Sequence, residues 1–280
     1  MGDLALDTKV TGSVGRYSAR LSRDWEIWGP NGGYIAAIAL RAAGEHSRFG
    51  RPVSIAGHFL GVAGFDEVIL EVKTLRLTKR AESMRVTMTQ HKAPIFEALV
   101  WTCAPMEGLE HELALSPATF EPESVPSTAE RMAESGVELG YKFWSNFDER
   151  SETWLAADEW LERTPSYPSF ERFYRFLPTS TFDDLWVDAC RSLILIDTLG
   201  WPAVCQLHVD SGYVAPSIDI TCSFHRARIE EPWLFAQATS VSANAGIIGC
   251  EGKVWARDGA LLAMGTSQLL CRPMPSPAEP

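Results

Sequence analysis

The chain lacks any apolar stretch long enough to cross a membrane. Its longest apolar segments, residues 34–40 and 193–196, are far shorter than the roughly 20 residues that a membrane-spanning helix needs. The amino terminus, residues 1–7, also lacks the basic start and apolar core of a signal peptide. We therefore expect a protein that is not exported, does not bind membranes and works in the cytoplasm.

Closely spaced cysteine pairs are missing as well. The sequence has no C-x-x-C pair, and most of its cysteines have apolar neighbours; the six are Cys103, Cys190, Cys205, Cys222, Cys250 and Cys271. Cysteines scattered in this way usually serve as small core residues in a reducing compartment. The sequence therefore predicts neither a disulfide framework nor a metal site.

Basic residues are too few for a nucleic-acid-binding surface. The net charge is −11, and residues 105–185 alone hold 17 acidic and 6 basic side chains. The rest of the 280-residue chain is therefore neutral on balance. Because binding to nucleic acid needs a basic surface, this composition argues against that class of function.

Several common catalytic and nucleotide-binding motifs are absent too. The sequence contains no G-x-S-x-G, G-x-G-x-x-G or H-E-x-x-H, and Gly252-Lys253 lacks the spacing and the hydroxyl residue of a P-loop. These absences count against an α/β-hydrolase, a dinucleotide-binding enzyme and a zinc protease. We predict no metal and no cofactor.

What the sequence does contain is one pattern that occurs twice. An apolar helix is predicted at residues 33–43, followed by strands at 53–60, 67–77, 83–91 and 94–102. The second half repeats this order with a helix at 185–199 and strands at 217–226, 233–242, 247–256 and 261–271. An offset of 165 residues places Phe59 on Phe224 and Val68 on Trp233. The chain therefore looks like two related halves.

The repeat defines the expected domains. We assign residues 1–105 to an N-terminal domain, 106–136 to an acidic, Pro-rich linker and 137–280 to a C-terminal domain. A helix is predicted at 127–135, and aromatic residues predict further strands at 143–147 and 170–177. Each half combines a helix that is apolar nearly all round with a run of strands, so we predict an α+β fold in which antiparallel sheet encloses helix.

Several short motifs together resemble the acyl-CoA thioesterase II type of double-hotdog protein. They are Asn31-Gly32-Gly33-Tyr34, His58-Phe59-Leu60 and residues 71–76 and 94–96 in the first half, and residues 217–219, Phe224-His225-Arg226 and Asp258-Gly259 in the second. The resemblance implies a double hotdog, with two antiparallel sheets each wrapped on a long central helix. It also implies hydrolysis of a fatty or related acyl-CoA, in lipid metabolism, by a homo-oligomer that is a dimer or larger.

The same resemblance implies that Asp197, Ser217 and Gln268 together hold and activate a water molecule. Asp197 follows four aliphatic residues at the end of a predicted helix, where the helix dipole disfavours a carboxylate and desolvation would raise its pKa towards that of a general base. Without the resemblance, an alternative interpretation of Asp197 is a solvated carboxylate at a helix end. The alternative for Gln268 is a buried structural amide on a largely apolar strand face. Ser217 falls on the polar side of an alternating strand, which by itself predicts only a hydroxyl at a strand start.

Five further residues are candidates for binding the acyl-CoA. Gly32 and Gly33 open the first helix, and helix amino termini favour a developing oxyanion. Arg76 and Arg80 belong to a basic run that suits the phosphates of coenzyme A, although a solvated strand face also explains this run. His58 is the fifth, and it is the next candidate base if Asp197 fails.

Two other functions stay open on the sequence alone. A non-catalytic acyl-CoA-binding module would keep the fold without the water. A hotdog hydratase or dehydratase would need an Asp–His or His–Glu pair, and neither His58 nor His225 has the neighbours of such a pair. Replacing Asp197 separates the hydrolase from the binding module, because only the hydrolase loses turnover while it retains its ligand.

Overall fold

The protein is described by a computed structural model that covers residues 1–136, 140–153 and 164–274. Within these ranges its helices are α1 (Leu4–Asp7), α2 (Gly32–His46), α3 (Thr128–Glu134), α4 (Leu185–Thr198) and α5 (Gly200–Leu207). Short 3₁₀ helices are formed by Arg23–Trp25, Pro122–Ser124 and Lys142–Asn146.

The strands in the described part of the chain are β1 (Thr11–Ser13), β2 (Arg16–Arg20), β3 (Arg51–Phe59), β4 (Glu67–Leu77), β5 (Ala81–Gln90), β6 (Ala93–Cys103), β7 (Phe147–Arg150), β8 (Ser169–Phe176), β9 (Tyr213–Val214), β10 (Asp219–Phe224), β11 (Trp233–Asn244), β12 (Ile247–Ala256), β13 (Leu261–Leu270) and β14 (Arg272–Pro273). The predicted strands of both halves are confirmed to within about three residues at their ends. The predicted strand at 143–147 is wrong, because 3₁₀ helix Lys142–Asn146 occupies most of it and packs Phe143 against Trp25, with ring centroids 6.0 Å apart.

Twelve of these strands form one antiparallel sheet in the order β1-β2-β4-β5-β6-β3-β10-β13-β12-β11-β8-β7. The two halves meet where β3 pairs with β10, with Ala56 opposite Thr221. The expectation of two separate sheets is therefore corrected to one continuous sheet. Pairing β3 with β10 removes the open edge that each half would otherwise expose.

The two long helices lie together against one face of this sheet. In β10, Ile220, Cys222 and Phe224 are buried while the alternate residues are more exposed, so the buried side of the strand faces the core. Helix α2 is buried at eleven of its fifteen residues, and α4 is buried from Trp186 to Thr198. The prediction of two enclosed, apolar helices is confirmed.

The acidic segment is attached more firmly than a loose linker would be. The Trp255 indole N–H donates to the Ala114 carbonyl at 2.7 Å, and the Phe120 ring meets the Phe173 ring edge-on at 5.3 Å. Arg257 bonds to the carboxylates of Glu121 and Glu123. Residues 114–123 therefore cover the outer face of the sheet in the second half.

Two composition-based expectations concern the whole chain. None of the helices in the described ranges is long and apolar enough to span a bilayer. Three of the six cysteines, Cys190, Cys222 and Cys250, are buried, as expected of small core residues.

Candidate active site

Asp197 lies in the last turn of α4, where this helix packs against the start of α2. The Gly33 backbone N–H donates a 2.6 Å hydrogen bond to Asp197 Oδ2. The dipole of α4 disfavours a carboxylate at its own carboxyl terminus, but the amino terminus of a neighbouring helix stabilises negative charge. Asp197 is only 6% exposed, so its alternative interpretation as a solvated carboxylate is wrong.

Two glycines allow this close approach of the helices. A Cβ atom on Gly32 would lie 2.9 Å from Asp197 Oδ2 and 3.0 Å from Phe59 Cζ. A Cβ atom on Gly33 would lie 2.7 Å from the Ile194 Cα atom, closer than packed atoms tolerate. Any side chain here would therefore push α2 away from the carboxylate.

Asn31 and Thr198 connect the same two helix ends by a hydrogen bond beside Asp197. Asn31 caps α2, because its Oδ1 accepts from the Tyr34 N–H at 2.9 Å, and its Nδ2 donates to Thr198 Oγ1 at 3.1 Å. Thr198 Oγ1 donates in turn to the Ile194 carbonyl at 2.7 Å. Sequence patterns alone do not predict this contact, although an N-cap residue before the glycine pair and a hydroxyl after Asp197 are signals of it.

The environment of Asp197 changes its acidity. Burial raises the pKa of Asp197 to about 6, and the nearby Ser217 side chain and the Gly33 N–H act in the opposite direction. Asp197 Oδ1 has no hydrogen-bond partner of good geometry among the described residues, while the Ser217 side chain lies close enough to the carboxylate to favour its ionised form. The site therefore combines a base that is largely ionised at neutral pH with an oxygen that is ready to accept a proton.

The segment that carries Ser217 is tied to two neighbouring strands. The Ile218 N–H donates to the Gln268 carbonyl at 2.8 Å, and the Phe59 N–H donates to the Ile218 carbonyl at 3.0 Å. Ser217 also forms an isolated bridge with Leu269. Because β10 begins only at Asp219, strand alternation does not decide where the Ser217 side chain points.

Gln268 lies on the other face of the sheet from the helices. Along β13 the exposed residues are Met264, Thr266 and Gln268, and the residues between them are buried. The interpretation of Gln268 as a buried amide on an apolar face is therefore wrong. Its backbone N–H donates to Asp219 Oδ1 at 2.7 Å, so its main chain supports the segment that carries Ser217.

The predicted binding residues of the first half are not assembled around Asp197. His58 is exposed on the outer face of the sheet, between its cross-strand partners Asp219 and Glu97. Arg76 and Arg80 are exposed at the far end of β4 and in the next turn. Within the described ranges, no group of three His, Cys, Asp or Glu side chains is arranged to hold a metal.

The distance between the arginines and the glycine pair can be judged from the strand register. Arg76 lies opposite Ser83. Phe59, whose ring lies beside Gly32, is instead in the same cross-strand row as Phe96 and Met88. The five-residue step along β5 from Ser83 to Met88 corresponds to about 17 Å. The structure therefore brings Gly32 and Gly33, but not the arginines, to Asp197.

The contact between α2 and α4 has two ends that the sequence repeat relates to each other, and different side chains meet at the two ends. The N-caps of the two helices are 153 residues apart, and this offset relates Gly33 to Trp186. The same offset relates Asp197 to Gly44, and a Cβ atom on Gly44 would lie 2.6 Å from Trp186 Cδ2. In the second copy of the contact an indole therefore takes the place of Gly33, and Gly44 takes the place of Asp197.

Comparison with known protein families finds a match for each half. The acyl-CoA thioesterase N-terminal domain matches residues 21–103, and the acyl-CoA thioesterase C-terminal domain matches residues 122–271. A search of curated proteins finds no match.

Solved structures with a similar fold cover nearly the whole chain. A hot dog fold protein from Alicyclobacillus acidocaldarius is 18% identical, with a TM-score of 0.79 and 98% of both chains covered. An acyl-CoA thioesterase II from Mycobacterium marinum is 20% identical, with a TM-score of 0.76, covering 98% of this chain and 99% of that one. A TesB protein from Mycobacterium avium subs. paratuberculosis is 19% identical, with a TM-score of 0.76, covering 96% and 98%. At these identities the likeness shows the hotdog fold with its large antiparallel sheet.

Proposed function

Because the chain belongs to the acyl-CoA thioesterase family of thioester hydrolases, we propose that it hydrolyses a fatty or related acyl-CoA to the free acid and CoA through a water activated by Asp197. The observation that carries the proposal is the buried Asp197 carboxylate, with a pKa of about 6, one oxygen held by the start of α2 and the other without a partner in the described chain. A base of this pKa is ionised at neutral pH yet still accepts a proton readily.

The reaction needs no covalent intermediate with the enzyme. The oxygen of the water attacks the thioester carbonyl carbon while Asp197 Oδ1 takes one of its protons. The tetrahedral intermediate then breaks its C–S bond, and the departing CoA sulfur takes that proton back from Asp197. Ser217 supports this cycle by favouring the ionised carboxylate, since its side chain lowers the pKa of Asp197.

The oxyanion of the intermediate is assigned to Gly32 rather than to both glycines. The Gly33 N–H is already bonded to Asp197, which removes it as a donor. Gly32 is the first residue of α2, where a backbone N–H has no partner within the helix and the dipole favours negative charge. The carbonyl oxygen of the thioester would therefore lie at the amino terminus of α2, beside the carboxylate.

An aromatic cluster beside this site is proposed to contact the acyl group. Trp28 precedes the cap of α2 and is 46% exposed, and its ring meets the Trp201 ring edge-on at 6.4 Å. The Trp28 indole N–H donates to Tyr141 Oη at 2.9 Å, which fixes the ring. A fixed, exposed apolar surface next to a polar site suits an acyl chain. Trp28→Ala should raise KM for long acyl-CoAs more than for short ones.

Four residues keep roles that only the sequence predicts. Gln268 is predicted to hold the water, and Gln268→Ala should lower kcat if this is correct. His58, Arg76 and Arg80 are predicted to bind the substrate, and their Ala variants should raise KM. Unchanged kinetic constants in these variants would remove the four residues from the site.

We further propose a double-hotdog chain that works in the cytoplasm as a homo-oligomer. The outer sheet face of the first half exposes Leu75, Leu99 and Trp101 by 40–47%, whereas residues 114–123 cover the corresponding face of the second half. Large apolar side chains clustered on a sheet face often mark a protein interface. We propose that a second copy of the chain covers this face, as the proposed homo-oligomer requires.

A hydrolysis screen tests the function directly. Short, medium, long and aromatic acyl-CoAs should be offered to the wild-type protein and to Asp197→Asn, with release of free CoA as the measurement. Turnover by the wild type alone, unaffected by EDTA, is the expected result. Acyl-CoA binding without turnover of any substrate would instead favour the non-catalytic binding module.

A further inference from the structure

Ser267 is a buried hydroxyl residue that no part of the proposed mechanism uses. It lies on β13 with its side chain on the face that packs against the helices, and it is only 3% exposed. Its Oγ atom has no hydrogen-bond partner among the described residues. Buried hydroxyl groups are nearly always hydrogen-bonded to protein or to ordered water, so this atom calls for a partner.

The surroundings of Ser267 point to the end of α4. Ser267 pairs with Cys250 on β12, and a Cβ atom on Gly200 would lie 3.2 Å from Cys250 Sγ. On the other side, a Cβ atom on Gly252 would lie 3.3 Å from the side chain of Ile196. The inner face of the sheet around Ser267 therefore meets the stretch of chain between residues 196 and 200.

Asp197 lies in that stretch, and its carboxylate contains a second buried oxygen without a hydrogen-bond partner in the described part of the chain. Its Oδ1 is buried and lacks a partner in the described ranges, like Ser267 Oγ. The segment of Ser217 joins the same place, since Ser217 bridges to Leu269, two residues after Ser267 on the same strand face. A single water molecule between the carboxylate and the Ser267 hydroxyl would satisfy both atoms.

We propose that Ser267 is a positioning residue for the hydrolytic water. This inference rests on the proposed function. One O–H of the water donates to Asp197 Oδ1 and the other donates to Ser267 Oγ, which leaves a lone pair on the water oxygen to attack the thioester carbonyl. Ser267 thereby fixes the direction of attack, while Asp197 alone takes the proton.

A purely structural role for Ser267 makes a different prediction. If the Ser267 hydroxyl stabilised the fold, its removal would lower the melting temperature. Because this hydroxyl has no protein partner among the described residues, its burial instead costs free energy. Ser267→Ala should therefore keep or raise the melting temperature of the protein. Activity should nevertheless fall, because a loosely held water seldom has the geometry for attack.

The experiment compares Ser267→Ala with Thr266→Ala, which removes the neighbouring hydroxyl from the exposed face of the same strand. With the best acyl-CoA from the screen, Ser267→Ala should lower kcat by about 10- to 100-fold with little change in KM. Thr266→Ala should keep the wild-type kcat. The double variant of Asp197→Asn and Ser267→Ala should be no slower than Asp197→Asn alone, because both residues act on one water.

Two outcomes would overturn the inference, and they are distinguishable from failure of the proposed function. Wild-type kcat in Ser267→Ala, with an inactive Asp197→Asn, would reject Ser267 and leave the thioesterase mechanism intact. A lower melting temperature together with multiplicative losses in the double variant would show that Ser267 is structural. If the wild type hydrolyses no acyl-CoA at all, the proposed function and this inference both fall.

Discussion

Replacing Asp197 by Asn should make the protein more stable and nearly inactive. Asn has the shape of Asp and can still accept the Gly33 N–H through its side-chain oxygen, so the contact between the two helices is kept. What disappears is a buried negative charge and the proton acceptor. Turnover should fall by roughly 100- to 10,000-fold, the usual contribution of a general base.

The gain in stability follows from the pKa of Asp197. Burial raises this pKa from the ordinary 3.8 to about 6, so between these two values the folded protein binds a proton that the unfolded chain releases. The contribution of this bound proton to the free energy of unfolding is present at acid pH. It is lost as the pH rises from about 4 to 6 and is absent at higher pH. At about 1.4 kcal/mol per pKa unit, the ionised carboxylate costs the folded state about 3 kcal/mol at neutral pH.

The assay is thermal unfolding across pH, combined with kinetics. At pH 7 to 8 the melting temperature of Asp197→Asn should exceed that of the wild type by roughly 5 °C, and the difference should vanish near pH 4. The kcat/KM of the wild type should fall about tenfold per pH unit below about 6, because only the ionised carboxylate accepts a proton. Asp183→Asn, at an exposed carboxylate, is the matched control and should change neither quantity.

Either of two results would refute this reasoning. A near-normal kcat in a folded Asp197→Asn protein would mean that the base is elsewhere. A melting-temperature difference that does not depend on pH would mean that Asp197 is not the buried, ionised group described above.

Three further predictions address the helix contact, the linker and the assembly. Gly33→Ala should lower both the melting temperature and kcat, since its methyl group collides with the Ile194 backbone, whereas Gly50→Ala, with open space around it, should leave kcat unchanged. Limited proteolysis should cut first at residues 107–111, which are exposed and without regular structure, and the two halves should stay together in size-exclusion chromatography. Leu99→Glu should shift the sedimentation coefficient towards that of a monomer, and a wild-type monomer at micromolar concentration would contradict the proposed assembly.

The secondary structure of each half could be predicted because it depends on local patterns. The apolar helix that ends in Asp197 and the alternating strands such as β13 are periodic over ten residues or more, which single-sequence reasoning handles well. The strand predicted at 143–147 is wrong. Its aromatic residues are typical of a strand, but in the folded protein Phe143 packs in the core against Trp25. Packing between distant segments overrode the local preference there.

The candidate site was predictable only in part. The sequence identified Asp197 and the glycine pair, but not that they meet through a hydrogen bond between two helices that start 153 residues apart. For Gln268 and Ser267 a shift of one residue exchanges the two faces of a strand, so pattern alone could not decide which of them faces the helices. Strand pairing and burial decide it, since Ser267 is enclosed and Gln268 is exposed.

By itself the sequence determined which chemical groups the protein has: an acidic chain, two enclosed helices, a carboxylate after four aliphatic residues and a Gly-Gly pair at a helix start. These are local properties, written in residue type and spacing. Tertiary structure decided the acidity of Asp197, because a pKa depends on burial and on neighbours from other parts of the chain. It also brought Asp197 to the start of α2, whereas Trp186 packs against Gly44 at the other end of the same helix contact. Proximity between segments far apart in the chain is a property of the folded state, and the site exists only there.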